Sequence, residues 1–250
     1  MNVVAAEWIK LRGVRSTYWT LLIAAGTAIG LSIVLAYAFA TPQPKAGQTP
    51  PDPLLAGFAS LEYAVLAVGV LGALTVTSEY STGLIRTTLA AVPHRGALLA
   101  AKAAVVAAVT LVIGELAAWV SFFADQAILN GHHRGVSLSQ PGVAGAVLAD
   151  GLLLCVCALL GLGLGALIRH TAGAVAAVAG VMYLPALLQA LPAPWSDRFS
   201  RFTLITAAEQ VTRHQPSLTE FAPAISLVVL LAWPAAALAA AAVVLTRRDA

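Results

Sequence analysis

Six stretches of this chain are apolar over about the length that a helix needs to cross a bilayer. They fall at residues 18–40, 54–77, 97–123, 143–168, 172–191 and 224–245. A hydrocarbon core about 30 Å thick takes about 20 helical residues. Lipid offers no partner for a bare N–H or C=O, so such stretches are helices. Of the 250 residues 60% are hydrophobic and 10% charged, against roughly 25% charged in soluble domains. Mean hydropathy is +0.87. Too few charges exist to coat a water-soluble fold of this size. The expected fold class is an all-α integral membrane protein, one domain over residues 1–250. Pro185 and Pro234 fall within the fifth and sixth stretches and should kink or interrupt them.

Lysine and arginine set the orientation. With the N-terminus inside, nine of them lie on the inner side: Lys10, Arg12, Arg15, Arg86, Arg95, Lys102, Arg169, Arg247 and Arg248. Five, Lys45, Arg134, Arg198, Arg201 and Arg213, lie outside. The bias places both termini in the cytoplasm. The net charge of +3 belongs to these flanks and gives no reason to invoke nucleic acid. A small-residue site at Ala36–Ala40, before Thr41-Pro42, has the look of signal-peptide cleavage. The apolar run ahead of it is too long, since signal-peptide cores run about 7–15 residues.

The N-terminus has its own pattern. Val4, Trp8 and Leu11 recur at helical spacing, with Glu7, Lys10 and Arg12 between them. This predicts a basic amphipathic helix in the interface, with Trp8 at headgroup depth and Lys10 and Arg12 on its polar side. Tyr18 and Trp19 mark the aromatic belt where the first span enters.

Residues 77–96, TSEYSTGLIRTTLAAVPHRG, are polar and helix-like between the second and third spans. Catalytic motifs are scarce. None of the three lysines follows a glycine, so the chain lacks the P-loop that an ATPase needs. No His-Glu-x-x-His occurs, and Cys155 and Cys157 lack metal-ligand spacing. Two apart on one helix, they do not face each other as disulfide partners do. His132-His133 sits in an outer loop. Gly161 and Gly165, four apart, mark a small-residue packing face, and Gly26 and Gly30 repeat that spacing in the first span.

Three acids lie within the spans: Glu62, Glu115 and Asp150. Each is about eight residues, or about 12 Å, from the outer end of its span. Intramembrane acids are costly and usually functional. They either fix packing, bonded to hydroxyls such as Thr110 or Ser121, or line a polar substrate path.

The segment Glu79-Tyr80-Ser81-Thr82-Gly83-Leu84 resembles the Glu-Tyr-x-x-Gly-Thr-like motif that follows the second span in ABC-2 type ABC transporter permeases, with Leu in place of the final Thr. Ile85–Leu89, the run from Ile168 to Gly173 and the closing residues from Leu245 extend the resemblance over nearly the whole chain. It implies a permease subunit of an ATP-driven exporter in the inner membrane of a GC-rich bacterium. Such a permease is a homodimer, with first and fifth spans at the seam, and works with two separate ATP-binding subunits that hold ATP and Mg. It has no catalytic residue, metal or cofactor of its own. Residues 79–90 become the coupling helix, with Glu79 and Tyr80 setting its exit angle, Gly83 allowing close backbone approach or a bend at the contact, and Leu84, Ile85, Leu89 and Arg86 meeting the ATPase. Residues 195–220, with Phe199, Phe202 and Ile205 at helical spacing, resemble the outer helices that cap the cavity. The substrate is a small or amphipathic compound. The alternatives are an integral membrane enzyme, or an ion-coupled carrier, using the three acids. The topology has a direct check. A reporter that works only in the cytoplasm, fused after Ala250, is expected to be active, and an exported reporter there silent; the reverse overturns the orientation.

Overall fold

The computed structural model describes residues 3–40, 52–91, 94–213 and 221–247. Lys45 and Arg248 of the charge count lie outside them, as does the end of the 195–220 segment. Within α4, named below, the side chains of Arg86 and Leu89 are likewise outside the description.

The described residues form eleven helices and no strand. A short helix α1 (Val3–Gly13) precedes α2 (Arg15–Ala40). Then come α3 (Leu55–Ser81), the short α4 (Leu84–Ala91), α5 (Arg95–Asn130) and α6 (Val143–Ile168). Four short helices follow: α7 (Thr171–Met182), α8 (Leu184–Leu188), α9 (Ala193–Ser200) and α10 (Leu204–Thr212). The last is α11 (Pro223–Arg247). Five of these, α2, α3, α5, α6 and α11, are long and apolar enough to span a membrane. Their outward faces are apolar, as with Val112, Leu116, Val120 and Phe123 on α5. So large an apolar exterior marks a surface made for lipid, not water.

The fifth expected span is not one helix. α7 stops after 12 residues, and α8 restarts with Pro185 in its first turn. Proline has no N–H to donate and disfavours helical geometry in the residue before it, here Leu184. Pro234, by contrast, sits inside a continuous α11. The chain then returns through α9 and α10 before α11 begins. The break near Arg201 between them divides the continuous helical spacing expected of Phe199, Phe202 and Ile205.

The core is built on α3 and α6. Leu61, Val65 and Val68 of α3 meet Leu153, Leu154, Val156, Leu160 and Leu162 of α6, all fully buried. Glycine makes this approach possible. A Cβ on Gly161 would sit 1.9 Å from the carbonyl oxygen of Gly69, and one on Gly72 would sit 2.0 Å from that of Ala158. Without lipid-excluding hydrophobic drive between helices, such backbone proximity is what packs them. Gly165 joins the same face, against Ala73. Gly26 and Gly30 do not. α2 turns Ala24, Ala28, Ser32 and Ala36 inward, which leaves both glycines open on the outer face. Cys155 and Cys157 are buried and free.

The two glycine sites differ in a measurable way. Gly161→Ala forces a methyl into backbone and should cost about 1–3 kcal/mol. Gly30→Ala adds a methyl to open space and should be neutral or slightly stabilising, since alanine favours helix by about 1 kcal/mol. Thermal unfolding of the two variants in one detergent separates them.

Candidate functional site

At one end of the bundle α1, the last turn of α3, α4 and the first turns of α5 converge. α1 packs across α5, and its polar side faces in. Glu7 is buried, while Val4, Trp8 and Ile9 are exposed. The amphipathic pattern is present, but Glu7 and Leu11 turn to the protein side, and Val4, Trp8 and Ile9 to the outer side. Arg12 lies over the Trp8 ring at 5.9 Å. Tyr18 and Trp19 are exposed at the entry to α2.

α3 ends where its hydroxyls close the helix. Thr82 donates both its N–H and its hydroxyl to Ser78 O. Gly83 then takes φ +73°, a left-handed conformation that costs glycine little. The reversal starts α4, eight residues long. Ile85 is buried against the protein, and Leu84 is 56% exposed. Ile85 thus packs inward, and Leu84 borders the cavity described below. Tyr80 stacks under the Arg169 guanidinium at 5.3 Å. Arg169 is the left-handed C-cap of α6, at φ +57°, so this pair ties α3 to the turn into α7. His170 caps α7 through Nδ1, which accepts from the Gly173 N–H.

Four charges lock this end. Lys102 Nζ donates to Glu7 Oε2 at 2.5 Å and to Glu79 Oε1 at 3.0 Å. Lys10 Nζ donates to Glu7 Oε1 at 2.7 Å, to Glu79 Oε1 at 3.0 Å and to Thr88 Oγ1 at 3.5 Å. Glu7, Glu79 and Lys102 are all buried, and Lys10 is half-exposed. Two carboxylates and two ammoniums sum to zero charge, which is how buried ions become tolerable. Burial pushes the Glu7 carboxyl up, but the Lys102 charge and the hydrogen bonds from both lysines outweigh it and hold it below the usual 4.5. Burial likewise lowers Lys10, and its hydrogen bonds to Glu7 and Glu79, with their negative charges, reverse this, raising it above 10.5. Among the described residues Glu79 Oε2 has no partner.

Beside the cluster lies an open cavity of about 720 Å³, lined by residues of α1 to α5. Glu79 and Lys102 border its polar end, and Leu71, Leu74, Val105 and Val106 line its apolar wall.

Of the three intramembrane acids, Glu115 and Asp150 come close together where α5 packs on α6, and Glu62 stands apart. Glu62 is exposed on α3. Glu115 is half-buried on α5, against Gly151 of α6. Asp150 is buried and lines a small cavity of about 20 Å³ together with Asp125, enough for about one water. Ser32 Oγ donates to Asp125 Oδ2 at 2.6 Å. Asp125 Oδ1, Asp150 Oδ1 and Glu115 Oε2 have no partner among the described residues. Thr110 gives its hydroxyl to Val106 O, and Ser121 Oγ is unpartnered, so neither supports an acid. Sequence reasoning missed Asp125 because the apolar run ends near Phe123 while the helix continues to Asn130. It also missed Glu7 and Lys102 as partners of Glu79. Their signal was an acid in a basic helix and a lysine eight residues into an apolar one.

No family model matches the chain, and no curated protein matches it.

The cluster should set the pH range over which α1 stays docked. Glu7, with its lowered value, contributes fully above 4.5, and that contribution is lost as pH falls through the folded value. Lys10, with its raised value, contributes fully below 10.5 and is lost as pH rises past it. Docking, read from Trp8 emission, should be flat between these limits and fall beyond them. Lys102→Met leaves two carboxylates against one ammonium and should cost about 3–5 kcal/mol. Adding Glu79→Gln restores neutrality and should recover much of that loss in thermal unfolding.

Proposed function

We propose that this chain is the membrane-spanning permease subunit of an ATP-driven exporter of the ABC-2 class, working with a separate ATP-binding subunit. The observation that carries this reading is α4: a short helix between two spans, bonded into a charge cluster, with Leu84 left exposed. Such an element suits a groove on a partner. The sequence holds no P-loop, so an ATP-driven role requires a borrowed motor.

In this reading the ATPase meets Leu84 and Arg86, and its movement passes through Glu79 and Tyr80 into α3. The cluster carries it on to α1 and α5. Two copies assemble with α2 and α7 at the seam, where Ala172, Ala176 and Gly180 leave an exposed small-residue face on α7. The fifth crossing is made by α7 and α8 in two pieces, and both termini lie in the cytoplasm. The cargo is a small or amphipathic compound. The unpartnered oxygens of Asp125 and Asp150 favour a second reading, an ion-coupled carrier that runs without ATP.

The test is the permease co-expressed with its ATPase and reconstituted. Arg86→Glu should uncouple substrate-stimulated ATP hydrolysis from transport while the permease still inserts. Loss of one partner of a buried charged pair costs roughly 2–5 kcal/mol, and Arg86→Ala should act more weakly. Transport by the chain alone, driven by an ion gradient, would overturn the exporter reading in favour of the carrier. Wild-type coupling in Arg86→Glu would remove α4 as the transmission element.

A further inference from the structure

We propose that Asp125 of α5 and Asp150 of α6 bind one proton from bulk water between them, shared across a single bridging water. Both residues are more than nine-tenths buried, and both border the cavity of about 20 Å³. Gly57 of α3 borders the same cavity and shows how the acids meet. A Cβ on Gly57 would lie 3.4 Å from Asp150 Oδ2 and 3.7 Å from Asp125 Oδ2, so the two carboxylates reach one point. The space there holds about one water.

The surroundings supply no counter-charge. The charges that act on Asp150 are those of Asp125 and Glu115, both acids. Among the described residues Asp125 receives the Ser32 hydroxyl of α2 at Oδ2, and Oδ1 of either acid has no partner. No lysine, arginine or histidine is among the residues that line the cavity. The charged groups that flank those residues are engaged elsewhere: Arg134 donates to the Phe39 carbonyl, Arg213 to Glu209, and Asp52 accepts from the Leu54 N–H. Two carboxylates this close and this far from water do not both stay ionised, and the proton that relieves them belongs to the pair. Gln126, an independent member of the cavity wall, favours a proton and water over a metal ion. It is 6% exposed. Its Oε1 accepts from the Val136 N–H at 2.7 Å, which fixes the two ends of the amide, and Nε2 has no partner among the described residues. A bare amide donor calls for an acceptor; a water oxygen is one and a metal ion is not. Proton binding requires neither ATP nor cargo, so the site stands apart from the exporter reading, and in the carrier reading it makes the proton the coupling ion.

The experiment is infrared spectroscopy of the full chain in phosphatidylcholine nanodiscs at neutral pH, reading the C=O stretch of a protonated carboxylic acid and its shift in D2O. Glu115→Gln first identifies any band that belongs to Glu115. One further band is expected, and Asp125→Asn and Asp150→Asn should each remove or displace that same band. Gly57→Ala keeps both acids and sets a methyl at the point between them. That methyl meets only the two carboxylates, at ordinary contact distance, so the variant should fold, and it should displace the band as well. Glu62→Gln, and exchange of sodium for choline in the buffer, should leave the band in place. Absence of the band, the pair being balanced by a metal ion or by Lys45, overturns the proposal. Two bands, each removed only by its own substitution, or a band unmoved in Gly57→Ala, overturn it too.

Discussion

The ion cluster of Glu7, Lys10, Glu79 and Lys102 is the interaction on which the geometry of one whole end depends. Each member comes from a part of the chain that would otherwise have little reason to hold its place. α1 turns little large apolar surface inward beyond Leu11. The end of α3 must stop and reverse within a few residues, and the start of α5 must emerge from lipid beside it. Isolated, any one of these charges would be expelled toward water or neutralised. Together they share two carboxylates and two ammoniums over distances of 2.5–3.0 Å. Because each lysine bridges both acids, no single pair can separate alone without leaving a buried charge short of a partner. α4 hangs from this cluster through Thr88 and from the core through Ile85.

The middle of the bundle is held by a different force. Between α3 and α6 the contact is backbone on backbone, permitted by Gly72 and Gly161 and surrounded by fully buried leucines and valines. Dispersion at close approach replaces the hydrophobic drive that water would supply. The two regimes meet near Tyr80, where the last turn of α3 passes from glycine-mediated packing to the ring contact with Arg169.

Apolar length and the need to satisfy every backbone group made the long helices legible from sequence, and the Gly161–Gly165 spacing announced a packing face. The short α4 was legible because polar, helix-forming residues stood between two spans. Other features depended on three-dimensional partners. Nothing local marks Glu7 as an inward residue, since its helix is apolar on the opposite side. Nothing in the spacing joins Lys102 to Glu79, which lies 23 residues away on another helix. Equal depth suggested that Glu62, Glu115 and Asp150 share a path, but depth fixes only one coordinate of a position. The direction in which each helix turns the side chain fixes the rest, and it groups Asp150 with Asp125 and Glu115, away from Glu62.

α2 and α5 are joined at both ends. Near their far ends Ser32 bonds Asp125, and Arg134, just past α5, bonds the carbonyl of Phe39. At the near end α1, which leads directly into α2, is bonded to Lys102. With 36 residues α5 is about 54 Å long, so these ties stand far apart on one stiff rod. Two beams cross-braced near their extremities resist shear as well as separation. α1, α2 and α5 therefore form a truss that can tilt as one piece but cannot open like scissors. Any change of shape in the bundle has to occur along its unbraced side, where the chain is already divided into the four short helices α7 to α10.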